Sequence, residues 1–163
     1  MRNWWRPLSR LLLRATLAFA LGSVVLVLVF RVVPVFGSMV MLEREVSSWF
    51  SGEPLDIQQR WRPWDELSDN AKLAVIAAED QRFPDHHGFD LVELKRAIES
   101  AMNGGSLRGT STITQQTAKN LFLWTGRDYV RKVFEAWFAT LMELLWPKER
   151  ILEVYLNIVE FDR

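Results

Sequence analysis

The sequence predicts an all-α protein with one N-terminal membrane-spanning helix and a helical head behind it. Three observations carry this. Residues 11–30, LLLRATLAFALGSVVLVLVF, are apolar except for Arg14, and about 20 such residues suffice to cross a bilayer. Beyond residue 70 the apolar side chains recur at helical spacing. No two alternating runs joined by a hairpin signal occur anywhere in the 163 residues.

The first element is the anchor. Arg14 lies one turn inside it and can snorkel, while Arg2, Arg6 and Arg10 precede it. The positive-inside rule then puts residues 1–10 in the cytoplasm, 11–31 across the membrane and the remainder outside, with Trp4 and Trp5 at the headgroups. A cleaved signal peptide, with Ala18-Phe19-Ala20 as its small-x-small site, competes less well, because the apolar run continues past that triplet. The net charge is 0, yet residues 1–31 hold five Arg and no acid, so the rest is acidic and no nucleic-acid partner is expected. Without Cys there is no disulfide, thiolate metal site or Cys nucleophile.

Residues 32–70 read as a membrane-proximal connector. Pro34 and Gly37 interrupt an apolar stretch, and Trp49, Phe50, Trp61 and Trp64 punctuate a polar one. These aromatics suit either the membrane surface or packing onto the head. Leu67-Ser68-Asp69-Asn70 supplies the start of the next helix.

The head is expected over residues 71–163. Its first helix, AKLAVIAAED, is nearly all apolar before Glu79 and Asp80 and reads as buried. Burial and the negative end of the helix dipole both strengthen a carboxylate's hold on a proton, which makes Glu79 a candidate general acid or base. A solvent-facing Glu79 paired with Arg82 at i+3 fits the same residues. From Asp90 to Met102, Leu91, Leu94, Ile98 and Ala101 fall at helical spacing, and Asn103-Gly104-Gly105 ends the helix.

Thr112 and Gln115 have the spacing of a capping box, so a helix opens there. Such an end holds a phosphate or nothing beyond its own helix. After Thr125-Gly126 a long amphipathic helix is expected, with Val130, Val133, Phe134, Trp137, Phe138, Leu141, Leu144 and Leu145 on its apolar face. Arg131 and Lys132, on the other side, precede Glu135 by four and three residues and can both flank its carboxylate. Pro147 breaks that helix, and the next turns Ile151, Leu152, Tyr155, Leu156 and Val159 inward while Glu153 and Asn157 share a polar edge.

The ordered fragments EDQRFPDHHG, GTSTITQQTAKN, RKVFEAW and KERILEVYLN resemble the peptidoglycan glycosyltransferase family, known as single-function membrane enzymes and as the polymerising domain of bifunctional penicillin-binding proteins. The resemblance implies a lysozyme-like helical head at the outer face of the bacterial inner membrane. Its expected activity is polymerisation of lipid II onto a growing glycan strand with release of undecaprenyl diphosphate, and its further partners are cell-wall synthesis or division proteins. By the same resemblance Glu79 is the catalytic base and Glu135 the second essential carboxylate. Asp80, Phe83, Ser111, Thr112, Gln115, Gln116, Lys119, Arg127, Arg131 and Lys132 are expected to bind substrate, the cations near the diphosphate. His86, Gly88, Lys148, Glu153, Tyr155 and Asn157 are expected to brace the fold, which also argues against His86 and His87 as zinc ligands. No cofactor is obligatory, although a divalent ion such as Mg²⁺ near Glu135 would suit a diphosphate.

Two departures from the family pattern stand out. Thr110 occupies a position where many members have Gly, and the chain stops at Arg163 before the family's glycine-rich segment and fifth motif, so it reads as C-terminally truncated. Two other classes fit parts of the pattern. A lysozyme-like hydrolase or lytic enzyme also uses a helix-end Glu, but has no use for a row of cations at a neutral leaving group. A non-catalytic, membrane-anchored module that binds lipid II or the cell-wall machinery would need no complete head.

Overall fold

The structure, a computed structural model, describes residues 5–52, 58–105, 109–126 and 128–159. Its first helix, α1 (Trp5–Val32), contains the apolar stretch Pro7–Val32, which is 26 residues long and sufficient to cross a membrane. Among the described residues six more α-helices follow, α2 (Met39–Ser51), α3 (Asp69–Glu79), α4 (Leu91–Met102), α5 (Ile113–Phe122), α6 (Tyr129–Leu145) and α7 (Lys148–Ile158), with one 3-10 turn at Trp64–Glu66. Among the described residues there is no strand, as the sequence predicts.

Local signals start and stop these helices. Ser38 Oγ accepts from Met41 N at the start of α2, and Gly52, at φ +70°, ends it by donating its N–H to Ser48 O. Asp90 caps α4 through Val92 N and Glu93 N, and Asp128 caps α6 through Arg131 N. At α5 the predicted capping box is complete, since Gln115 N donates to Thr112 Oγ1 and Thr112 N donates to Gln115 Oε1.

The core is built on α5, which packs against both α6 and α7. Ile113, Ala118 and Leu121 of α5 meet Phe138, Ala139 and Met142 of α6 and Ile151, Val154 and Tyr155 of α7 in one buried cluster. Burying a side chain such as Ile113 or Ile151 is worth about 1.5–3 kcal/mol. Stability is therefore concentrated in α5, α6 and α7, because α2 and α4 bury no residue at all.

Three expectations change here. α3 is not buried: Val75 is its only buried residue and Leu73 is exposed. Four of its apolar residues are Ala, whose continuity reflects helix propensity and not a need for cover. α4 is helical where expected, but Leu91, Leu94 and Ile98 are exposed. On α6 the inward face carries Glu135, Phe138, Ala139, Leu141 and Met142, whereas Val130, Val133 and Leu144 point outward. The cause is that α6 lies between α1 and α5, which turns Glu135 of the charged row inside and leaves Lys132 at the surface.

The anchor is packed onto the head. Phe19 meets Phe134 edge-on at 5.4 Å, Trp137 Nε1 donates to Ser23 Oγ at 3.0 Å, and Trp146 Nε1 donates to Val27 O at 2.8 Å. Arg150 of α7 then closes the end of α1, donating through Nη2 to Phe30 O at 2.7 Å and to Val33 O. A cation is favoured at that end of a helix, where carbonyls lack partners and the dipole is negative. The connector aromatics divide by position: Trp49 and Phe50 are exposed, while Trp61 and Trp64 pack against the core, with Lys72 over the Trp64 ring at 4.0 Å.

Candidate active site

Glu79 stands exposed at the last residue of α3, beside a cavity of about 790 Å³ that Arg82, Glu93, Arg96, Ser111 and Thr112 also line. Of the two placements the sequence allowed for it, buried or facing solvent, the exposed one holds. A hydrogen-bond chain fixes it there: Gln116 Nε2 donates to Glu79 Oε2 at 2.8 Å, and the Tyr155 hydroxyl donates to Gln116 Oε1 at 3.3 Å. Burial and then the charge of Glu79 push the Tyr155 phenol up to about 12. It therefore stays a neutral donor across the working pH range.

Behind Glu79 the backbone is braced by buried polar groups. Asp80 accepts from Ile113 N at 3.0 Å and meets His86 Nε2 at 2.9 Å, while Thr112 Oγ1 donates to Gly88 O at 2.7 Å. Phe83 is buried under Lys148 Nζ, 4.4 Å above its ring. Asp80, Phe83, Thr112 and Gln115, expected to touch substrate, thus have their groups engaged by the protein, because the α5 cap has to be buried against the turn after α3. Ser111 is exposed and lines the cavity with Thr110, Asp80 and Thr112, while the half-buried Gln116 shares its amide between Glu79 and Tyr155.

Gly88 has φ +83°, and a Cβ there would lie 3.0 Å from Glu143 Cγ. Glu143 in turn accepts from Lys148 Nζ at 2.8 Å and from Thr114 Oγ1 at 2.5 Å, joining α5, α6 and the start of α7. Sequence reasoning missed Glu143, for which no local spacing gives a signal. It also missed Arg150, although Glu153 three residues later was a clue: Arg150 Nη1 bonds Glu153 Oε2 at 2.6 Å, while Trp64 N donates to Glu153 Oε1 at 2.8 Å. Asn157 takes Arg62 N at 2.7 Å and returns a bond to Arg62 O at 2.9 Å, so Glu153 and Asn157 brace the connector.

The charged row on α6 forms as predicted, with Glu135 turned inside and Lys132 at the surface. Glu135 is buried, with Arg131 Nη1 at 2.6 Å on one oxygen and Lys132 Nζ at 2.5 Å on the other. Lys132 is half exposed and lies 3.5 Å from Ser111 Oγ, which links this cluster to the segment lining the cavity. Two cations on one carboxylate leave a net positive charge. Lys119 sits three residues beyond Gln116 on the same face of α5 and is half-buried, with no side-chain hydrogen bond or ion pair among the described residues. Arg127 lies outside the described residues.

A divalent ion finds a poor site at Glu135, whose oxygens are both taken by cations. Among the described residues, ligand atoms of Asp80, His86 and Asp90 do lie within 4.8 Å of one another. There Arg82 Nε stands 3.3 Å from Asp90 Oδ2 and supplies the positive charge already. His87 is exposed.

A model of the Transglycosylase family matches residues 46–163. A biosynthetic peptidoglycan transglycosylase of Chromohalobacter salexigens is 71% identical over 162 residues, which are 99% of this chain and 69% of that protein. Proteins of the same description from two strains of Pseudomonas fluorescens are 60% identical over 91% of the chain and 61% identical over 88% of it, corresponding to 62% and 60% of their own lengths.

Proposed function

From the premise that this chain belongs to the transglycosylase family, we propose that it serves peptidoglycan glycosyl transfer, polymerising lipid II into β-1,4 glycan with release of undecaprenyl diphosphate. The observation that carries the reading is Glu79, held by Gln116 beside the cavity, with the Lys132–Glu135–Arg131 cluster reached through Ser111. The growing strand is the donor, joined by its anomeric carbon to the lipid diphosphate. Lipid II supplies the acceptor 4-hydroxyl.

That hydroxyl needs a base to take its proton as it attacks, and Glu79 is free to do so through the oxygen Gln116 does not hold. The anomeric carbon–phosphate oxygen bond breaks as the new bond forms from the opposite face, so the α-linked donor becomes a β-linked product in one displacement. Negative charge grows on the departing diphosphate. Arg131 and Lys132 stand ready for it, fixed in advance by Glu135, and Lys119 and Arg127 are assigned the same task. No step is routed through a divalent ion. Hydrolysis is a weaker reading, since a glycosidase pair needs its second carboxyl as acid, base or nucleophile and Glu135 is tied to two cations.

The apolar α1 supports a single-pass anchor in the bacterial inner membrane, and Arg2, Arg6 and Arg10 ahead of it support a cytoplasmic N-terminus with the head outside. The apolar edges that α2 and α6 expose beside it, Leu42, Val46, Trp49 and Phe50 with Val130, Val133 and Leu144, suit contact with the outer leaflet. Protease added to spheroplasts should digest the head; full protection would reverse the orientation.

Glu79→Gln in the full chain, presented with lipid II in vesicles, tests the chemistry. A positioned base is worth about 10²- to 10⁴-fold, so polymerisation should fall by that order while lipid II binding survives. Polymerisation near the parent rate would refute the role of Glu79, and free reducing ends in place of polymer would favour hydrolysis.

A further inference from the structure

Glu43 lies on α2, before residue 46, where the family match begins. Its carboxylate nevertheless reaches 82 residues along the chain, accepting from Thr125 N and from Thr125 Oγ1, each at 2.8 Å. Thr125 lies in the segment before α6. The same segment presents Gly126 O to Arg131 Nε, while Trp124 Nε1 donates to Asp128 Oδ2 at 3.0 Å and Asp128 caps α6 through Arg131 N at 2.7 Å. A Cβ on Gly126 would lie 2.9 Å from Trp124 Cδ1, so a side chain there would press on the Trp124 ring. Arg131 therefore has its guanidinium held on one side by this segment and on the other by Glu135.

We infer that Glu43 is a positioning residue for glycosyl transfer: through the Thr125–Gly126 segment it fixes the guanidinium of Arg131, and with it the charge that Glu135 organises for the leaving diphosphate. This rests on the glycosyltransferase reading above. Glu43 touches no substrate in this account. α2 begins only seven residues after α1 ends and carries an outward apolar stripe of Met39, Leu42, Val46, Trp49 and Phe50, so the grip on the segment comes from the helix nearest the membrane exit. Removing the grip should act on the step in which charge develops and leave the affinity for lipid II largely intact.

The test uses the full chain in vesicles with lipid II, comparing Glu43→Ala, Glu43→Gln and Thr125→Val. Glu43→Ala should lower kcat about 10- to 100-fold, the scale of a misplaced catalytic group, with KM within about twofold. Glu43→Gln, which keeps an acceptor oxygen for Thr125 N, should recover most of the loss. Thr125→Val keeps the N–H bond and should lose a smaller part, which covers the case in which Glu43→Ala does not fold. In an Arg131→Ala background Glu43→Ala should have no added effect. The Arg131 Nε–H resonance, which needs no turnover, should shift in Glu43→Ala. An unshifted resonance with kcat retained overturns the inference, as does a loss that Glu43→Gln does not repair and that adds fully to Arg131→Ala. If instead Glu79→Gln polymerises at the parent rate, the glycosyltransferase reading fails, and the Arg131 resonance still decides whether Glu43 holds the segment.

Discussion

Gln116 and Glu79 are joined by a 2.8 Å hydrogen bond between helices α5 and α3. It gives an exposed carboxylate a fixed direction, and the Tyr155 hydroxyl behind it fixes the amide the right way round, with Nε2 toward Glu79. On the proposed function, this fixed direction is what places Glu79 to take a proton.

Gln116→Leu removes both bonds at nearly constant size. A hydrogen bond to a charged group is worth about 1.5–3 kcal/mol, so kcat should fall about 10- to 150-fold. That is less than the effect of Glu79→Gln at the upper end of its range. Initial rates of lipid II polymerisation measure it, and a loss larger than that of Glu79→Gln would mean that Gln116 does more than orient its neighbour.

Tyr155 makes stability depend on alkaline pH. Its phenol has an ordinary value of 10.0 in the unfolded chain and about 12 in the folded one. Below pH 10 both states are neutral and the contribution is complete. As pH rises toward 12 only the unfolded chain ionises, and stability falls by up to about 2–3 kcal/mol. Thermal unfolding followed from neutral to alkaline pH should show this decline in the parent and a shallower one in Tyr155→Phe. Parallel curves for the two proteins would contradict the assignment.

Gly88→Ala should destabilise the fold without touching the cavity. The left-handed backbone at φ +83° costs an L-residue about 1–2 kcal/mol, and the added methyl would press on Glu143 Cγ at 3.0 Å. A lowered Tm with lipid II still bound is the expected result. An unchanged Tm would show that the turn relaxes freely.

Arg150→Met keeps an aliphatic side chain but removes the guanidinium that lies 5.1 Å over the Trp61 ring and donates to Phe30 O and Val33 O. Carbonyls left without a partner cost about 1–3 kcal/mol each when buried. Hydrogen exchange around residues 30–35 should accelerate in the variant, and Glu153, its partner lost, should loosen its hold on Trp64 N. Exchange as slow as in the parent would show that the end of α1 is held by other contacts.

The sequence by itself determined what happens within one or two helical turns. Thr112 with Gln115, and Arg131 and Lys132 with Glu135, meet because residues three and four apart share a face. The apolar length of α1 and the helix that starts at Asp90 are of the same kind, set by composition and capping chemistry, whereas α2, inside the stretch read as a connector, was not foreseen. Tertiary structure alone decided the rest. Gln116 reaches Glu79 across 37 residues, Thr125 reaches Glu43 across 82, and Arg150 reaches Phe30 across 120. Periodicity marks a stripe on a helix but does not say what will cover it. On α6 the anchor and α5 took the sides bearing Phe134, Phe138 and Glu135, which left Val130 and Val133 outside; on α3 no neighbour covered the alanines. Which face turns inward depends on how much apolar area every neighbour removes from water and on whether each buried charge finds its partner, and those are sums over the whole fold.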